Sequence, residues 1–523
     1  MHHCLKIPEI LTIIFESLNN NDSESFRPYT DYQTFFALAL VCRNFLEPAL
    51  DALWREQGSF AQLIQTLPTD AWRVSGGVLS ITRPLVASDW ERFYFYAKRM
   101  TYVTVWLSDL RRPRLDPDVY PTIVLSHRPL PLLDNLRQLH CHGANIRMWN
   151  VTPFLGPKLT RFSMIFPRGT IAFETTSVLA SLPIHTPSLQ DLRIYGSTET
   201  SLPVCALVCA LHDLHTLMLN RIPLTTECIS HLSALSNLQK LHATITRDEP
   251  TQISSSIRQA SFPSLTELFI TVDTLTIATD FFEHFLRSSP LQTVKISIRD
   301  APSSQHIHQC FSAMRRHCSM SAMKNISLVS HVDADIVVMD VLDPRAIRSL
   351  FSFSNLEVFK FINLISFRNI GNADIVGIAR AWPHLRELSL HCLRCDAFQH
   401  LAAVTVDGLL PLANCASLKL LYIDLSAMVL DSDTLLRPGQ GVSNTTLQTL
   451  LISPGPITNP FAVASFLSDV FPSLKHITGW EGEDDTDELI KWREAMSLYQ
   501  HFVKIRMQER EWAARSGGST QVT

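Results

Sequence analysis

Glycine is scarce in this chain, with 17 in 523 residues. That leaves little material for loops that cradle phosphates, and no glycine-rich loop of that kind occurs. G-x-S-x-G and H-E-x-x-H are also absent, which removes the usual marks of a serine hydrolase and of a zinc protease. Charged residues are only 18 % of the chain and the formal net charge is −4. Nucleic-acid binding through bulk electrostatics is therefore excluded. No apolar run approaches the roughly 18 residues of a membrane span; the best, Val204–Leu211, is far too short. Met1–Lys6 offers no apolar stretch of the signal-peptide kind. The 11 cysteines are odd in number and scattered, unlike a disulfide framework. These absences lead us to expect a reducing cytoplasmic or nuclear compartment, with no membrane and no nucleic-acid partner.

What is present is repetition. Hydrophobic residues make up 46 % of a chain too long for one compact core. A Leu-x-x-Leu-x-Leu unit, with apolar substitutions, recurs thirteen times between Leu136/Leu139 and Leu474/Ile477. Clear copies are Leu189/Leu192/Ile194, Leu265/Leu268/Ile270, Leu385/Leu388/Leu390 and Leu447/Leu450/Ile452, and Met100/Val103/Val105 is a candidate fourteenth. Successive copies lie 23 to 33 residues apart, about 28 on average, within the range of leucine-rich repeats. Between them the apolar period changes from two to about 3.6, as in Ile229/Leu232/Leu235 and Ile375/Ile378/Trp382. Pro187, Pro263, Pro290, Pro383 and Pro472 fall just before the next copy, where proline stops a helix and presets an extended entry. Short strands alternating with helices cannot bury themselves singly. Stacked, they share one core as a solenoid, with a parallel sheet on the concave face and helices outside. The asparagine or cysteine ladder of regular repeats is mostly missing (Ala144, Ile222, Thr246, Gly455), so an uneven curve is expected.

Leu5–Trp54 follows a different pattern. Pro8 suits a first helical turn. Ile7, Leu11, Ile14, Phe15 and Leu18 then form one helical face. After the polar run Asn19–Gln33, a second helix carries Phe35, Leu38, Val41, Cys42 and Phe45. Its other side is also apolar (Phe36, Ala39, Leu40, Leu46), so it needs cover all round. Pro48 is expected to open a third helix with Leu50, Leu53 and Trp54. Residues 57–98 read as a connecting helix and strand region, with Ser88–Glu91 in capping-box form. At the far end, six carboxylates in Glu481–Glu488 precede a helix over Leu489–Trp512 with Ile490, Trp492, Met496, Tyr499, Phe502 and Val503 apolar, suited to cap the open core.

The ordered set Ile7-Pro8-Glu9, Leu40-Val41-Cys42-Arg43 and Leu53-Trp54 resembles an F-box. With the repeats, the chain resembles the F-box/leucine-rich-repeat proteins, particularly those of mushroom-forming fungi. The polar insert Asn19–Gln33 is longer than that motif usually carries. The resemblance implies an α/β fold with a three-helix F-box-like module (1–56), the connecting region (57–98), an irregular leucine-rich-repeat solenoid (99–480) and an acidic segment, C-terminal helix and tail (481–523). It also implies a non-catalytic substrate receptor of an SCF-type ubiquitin ligase. A Skp-type adaptor, and through it a cullin, would dock on Ile7, Pro8, Leu11, Ile14, Phe15, Leu18, Leu38, Leu40, Val41, Cys42, Leu50, Leu53 and Trp54, some of which must instead form the module's own core. The alternative is a repeat-built interaction scaffold or inhibitor with no ligase role.

In each repeat the residues alternating with the leucines point to the concave face. Arg161, Arg193, Tyr195, Lys240, His242, Glu267, Phe269, Lys295, Lys360, Glu387, Tyr422 and Asp424 are the candidates there for holding a protein substrate. With Asp191 added, five cations face four carboxylates, which gives no preference of sign. Two clusters contain metal-ligand types: His306, His308, Cys310, His317 and Cys318, and His391, Cys392, Cys395 and His400. Cysteine beside a repeat strand more often fills the core, and the first cluster fits a helix face. No metal or other cofactor is therefore expected.

Overall fold

Each Leu-x-x-Leu-x-Leu copy becomes a strand, and the strands pair in parallel with their apolar positions in register. The computed structural model describes residues 7–18, 31–106, 113–126, 131–142, 150–166, 173–246, 262–287, 289–330, 340–393, 402–427, 438–453, 456–478 and 487–517. The chain divides into two compact units, Met1–Leu238 and Gln239–Thr523.

The first unit begins with three helices, α1 (Pro8–Leu18), α2 (Tyr32–Ala39) and α3 (Arg43–Arg55). Asp31 caps α2, accepting the Thr34 N–H at 3.1 Å, and these local hydrogen bonds hold its carboxyl below the usual carboxylate range. The second helix is shorter than expected. It stops at Ala39, Leu40 and Val41 form a turn, and extended Cys42 starts α3. Phe45 thus belongs to the third helix, and Pro48 lies inside that helix instead of opening it. Phe15 meets Phe45 edge-on at 5.7 Å and Phe35 at 6.2 Å, and Leu11, Ala49 and Ala52 complete a small core.

The module joins the repeats through a short strand as well as through the connecting region. Helix α3 runs directly into β1 (Glu56–Gln57), which pairs with Tyr102 and Val103 of β4 (Tyr102–Trp106). Residues 57–98 instead fold back, through α4 (Ala61–Ile64), the hairpin β2 (Trp72–Ser75) and β3 (Val78–Ile81), and α5 (Trp90–Ala97). Gly76 and Gly77 make the hairpin turn at φ +56° and +76°, the left-handed region that glycine enters without strain. The expected Ser88–Glu91 capping box is replaced by Asp89, whose carboxylate accepts the Val86 N–H and pairs with Arg83. The short strand β5 (Arg114–Leu115) joins β3, and α6 (Val119–Ser126) follows. The parallel strands then continue as β6 (Gln138–His142), β7 (Arg161–Ile165), β8 (Asp191–Tyr195) and β9 (Thr216–Pro223). Between them lie α7 (Phe173–His185) and α8 (Ser201–Cys209), and α9 (Thr226–Ser233) closes the unit. Val103, Leu139, Phe162, Leu192 and Leu217 are register partners in a row, and all are buried.

The second unit contributes β10 (Lys240–Ile245), β11 (Glu267–Val272), β12 (Thr293–Ile298), β13 (Asn325–Ser330), β14 (Val358–Asn363), β15 (Glu387–Cys392), β16 (Leu420–Asp424), β17 (Thr449–Ser453) and β18 (His476–Thr478). Here the row reads Leu241, Leu268, Val294, Ile326, Phe359, Leu388, Leu421 and Leu450, ending at half-buried Ile477 on the edge strand. The helices α10 (Leu275–Phe285), α11 (Ser304–His317), α12 (Pro344–Arg348), α13 (Asn372–Ala381) and α14 (Pro460–Val470) cover this row with Phe281, Phe282, Phe311, Ile375 and Phe466, all buried. The last helix, α15 (Asp487–Gly517), packs on α14 through Leu489, Trp492, Ala495 and Tyr499. The Tyr499 hydroxyl donates to the Phe471 carbonyl at 2.9 Å and accepts from the Leu474 N–H at 3.1 Å. Ile490, expected on the apolar side, is exposed. Most of the acidic segment lies outside the described residues.

The two faces of the sheet, on neighbouring strands β14 and β15, predict two different costs. Leu388→Ala, emptying the middle of a buried row, is expected to lower stability by about 2–5 kcal/mol. Lys360→Ala, on the opposite face in a partly exposed ion pair, is expected to change it by about 1 kcal/mol or less. Chemical denaturation of the full chain measures both.

Candidate functional site

The three-helix module separates the residues that serve its own core from those it leaves uncovered. Leu11 and Phe15, expected at a docking surface, are buried in the module core, with Ile14, Leu38, Cys42 and Leu53 packed against it. Trp54 turns the other way and stacks on Tyr96 of α5, with ring centres 4.4 Å apart, and Leu50 is half-buried. Ile7, Leu18, Leu40 and Val41 are exposed, Leu40 to 72 %; the Pro8 side chain is outside what is described. The structure adds Ile13, Phe36 and Leu46 to the uncovered set. The apolar other side of the second helix expected from the sequence was the signal for Phe36, on α2, and for Leu46, which the structure puts on α3, while Ile13 follows no visible pattern.

The seam behind the module is polar and tied down. Arg99, just after α5, reaches back to α3, donating to Glu47 at 2.6 Å and to Asp51. Its guanidinium lies 4.6 Å from the centre of the Phe95 ring. The Thr101 N–H donates to the Arg55 carbonyl at 2.9 Å, and the Tyr32 hydroxyl to the Glu56 carbonyl at 3.1 Å.

The concave-face candidates fall into pairs between neighbouring strands. In the first unit Arg161 and Arg193 both bind Asp191, at 2.7 and 2.9 Å. Thr104, His140 and Ser163 on the same face are buried, and Tyr195 is half-buried. These arginines therefore form a largely buried polar cluster and not the open wall expected of a substrate surface. The second unit is more open. Lys240 pairs with Glu267 at 2.9 Å and Lys360 with Glu387 at 2.7 Å. His242 meets Phe269 edge-on at 5.2 Å. His391 stacks on Tyr422 at 4.1 Å, and its Nδ1 donates to Asp424 at 3.0 Å. Burial, with the nearby Asp424 charge, pushes the Tyr422 phenol up to about 12. Lys295 is exposed and makes no ion pair among the described residues.

Among the described residues the metal-ligand types do not come together. Cys392 is buried in the repeat core, His391 is engaged by Asp424, and Cys395 and His400 lie outside the described residues. Of the first cluster, Cys310 and Cys318 are buried while His306 and His308 are exposed. Among the described residues no three His, Cys, Asp or Glu side chains gather as a metal site, and no helix is long and apolar enough to cross a membrane.

No family model and no curated protein matches the chain. Solved structures do. A leucine-rich-repeat protein of Leptospira interrogans is 15 % identical, with 70 % of this chain and 78 % of that one covered and a TM-score of 0.35. The Rad7 and Elc1 complex of yeast is 14 % identical, with 90 % and 92 % covered and a TM-score of 0.35. An internalin of Listeria monocytogenes is 12 % identical, with 68 % and 83 % covered and a TM-score of 0.32. The likeness is loose, and the leucine-rich-repeat fold stands on the strand register itself.

Arg99→Ala is expected to cost about 1–3 kcal/mol, since it removes two charge-assisted bonds from a largely buried guanidinium. Hydrogen exchange should then rise across 47–57 and 95–103 and stay unchanged in β15.

Proposed function

We propose that the chain is a non-catalytic substrate-recognition subunit of an SCF-type ubiquitin ligase. The three-helix module docks a Skp-type adaptor, and through it a cullin. The repeat sheet holds a protein substrate, and the second unit's concave face is the better candidate for that contact. Other subunits transfer ubiquitin, so this chain supplies proximity and orientation.

One observation carries the reading. Of 23 exposed large apolar side chains among the described residues, seven lie between Ile7 and Leu46. Scattered exposed apolar residues need no explanation, but a set this dense on a module with its own complete core does. Full burial of each is worth about 1.5–3 kcal/mol, enough for a few of them to anchor a partner. The ordered F-box-like residues supply the identity of that partner. The alternative, a repeat scaffold or inhibitor without ligase role, leaves this set without a purpose.

The test is copurification of the full chain with a Skp-type adaptor. Leu40→Glu combined with Val41→Glu is expected to weaken capture at least a hundredfold while the melting temperature holds, because both side chains are exposed. If the unmodified chain retains no adaptor, the ligase reading falls and the scaffold reading takes its place.

A further inference from the structure

Where α3, β1, α4 and α5 meet, the first unit opens into a cleft of about 620 Å³. That lies within the span of roughly 300–1,000 Å³ typical of ligand sites. Three aromatic residues from three helices line it: Tyr32 of α2, Trp54 of α3 and Tyr96 of α5. Trp54 and Tyr96 are fixed against each other, 4.4 Å apart with their planes 26° from parallel. The polar lining includes side chains able to donate hydrogen bonds, notably the Gln65 amide and the Arg92 guanidinium. Gln57, also in the lining, is held in place by donating to the Leu53 carbonyl at 2.7 Å.

The cleft carries little charge. Asp89 is paired with Arg83 at 2.7 Å, an arginine that Asp70 shares at 2.7 Å, and the other charged residues of the lining are Glu91 and Arg92. A strongly acidic ligand would find no excess counter-charge, and a strongly basic one little more than a single carboxylate. The lining suits a neutral ligand with flat or puckered apolar rings to lay on aromatic faces and many carbonyls needing donors. A polyproline II segment has both properties: it makes no internal hydrogen bonds, so its carbonyls stay available, and its ordering cost is low. Aromatic-lined grooves are the usual way proteins hold such segments. We propose that this cleft is a binding site for a proline-rich peptide segment in the polyproline II conformation. It is separate from adaptor docking, because none of the exposed apolar residues Ile7, Ile13, Leu18, Phe36, Leu40, Val41 and Leu46 lines it and Trp54 is stacked on Tyr96 of α5.

The experiment uses the full chain and four fluorescein-labelled decapeptides: one alternating proline with leucine and alanine, the same peptide with alanine for every proline, a lysine-rich one and a glutamate-rich one. Fluorescence anisotropy should give saturable binding of the proline peptide and at least tenfold weaker binding of the other three. Tyr96→Ala should reduce the affinity tenfold or more. Because that change also disturbs the seam, Gln65→Arg serves as the second variant. It should cause a similar loss with an unchanged thermal melt. Equal binding of all four peptides, absence of saturable binding up to millimolar peptide, or binding that survives Gln65→Arg overturns the proposal.

Discussion

Parallel pairing in strict register is the constraint on which the rest depends. Because leucine positions of one repeat sit beside those of the next, buried rows such as Leu241 to Leu450 form without any single repeat having a core of its own. The rows tolerate Val, Ile and Phe because helices on the far side adjust to the volume, as Phe311 does where it meets Phe359 and Phe361. Among the described residues, loops between strands are joined by individual solutions. Ser289 donates to the Phe262 carbonyl at 3.2 Å, Asn444 to the Cys415 carbonyl at 2.8 Å, and Asn363 accepts from the Leu364 N–H at 2.9 Å. Irregular spacing and irregular stitching thus go together.

The same register explains how the N-terminal module is attached. A two-residue strand directly after α3 suffices to place it, because β1 takes its position from β4 and Arg99 closes the seam from the other side. The module needs only enough core to fix three short helices. Its remaining apolar residues are left for something else to cover.

The repeats and the three helices were legible in the sequence because their periods, two and about 3.6, are local properties. What escaped was non-local. Nothing in Glu56–Gln57 marks it as the strand paired with Tyr102 and Val103, so the direct join between α3 and the sheet is not visible in the sequence. A helix break at Leu40–Cys42 is hidden inside a continuous apolar run, and it moved Phe45 and Pro48 into a different element. Which F-box-like residues form the module core depends on helix crossing, which places Leu11 and Phe15 inside and Ile13 outside. The concave candidates were found by alternation alone, but alternation does not reveal that Arg161 and Arg193 share Asp191 in a buried cluster.

Cross-strand pairing also limits how the repeat face can recognise anything. Lys240 with Glu267 and Lys360 with Glu387 are neighbours about one strand spacing apart, so each charge is answered before a partner arrives. A partner gains little by offering the opposite charge to such a pair, since it must replace a bond already made. Among the described residues, groups on the second unit's face not spent in such a pair include the Phe269 ring and Lys295, which lies beside it in the register, whereas His391 is held by Asp424 while it stacks on Tyr422. An aromatic ring next to a cation that makes no ion pair among the described residues would select a partner by shape and by one well-placed acidic group, not by overall charge.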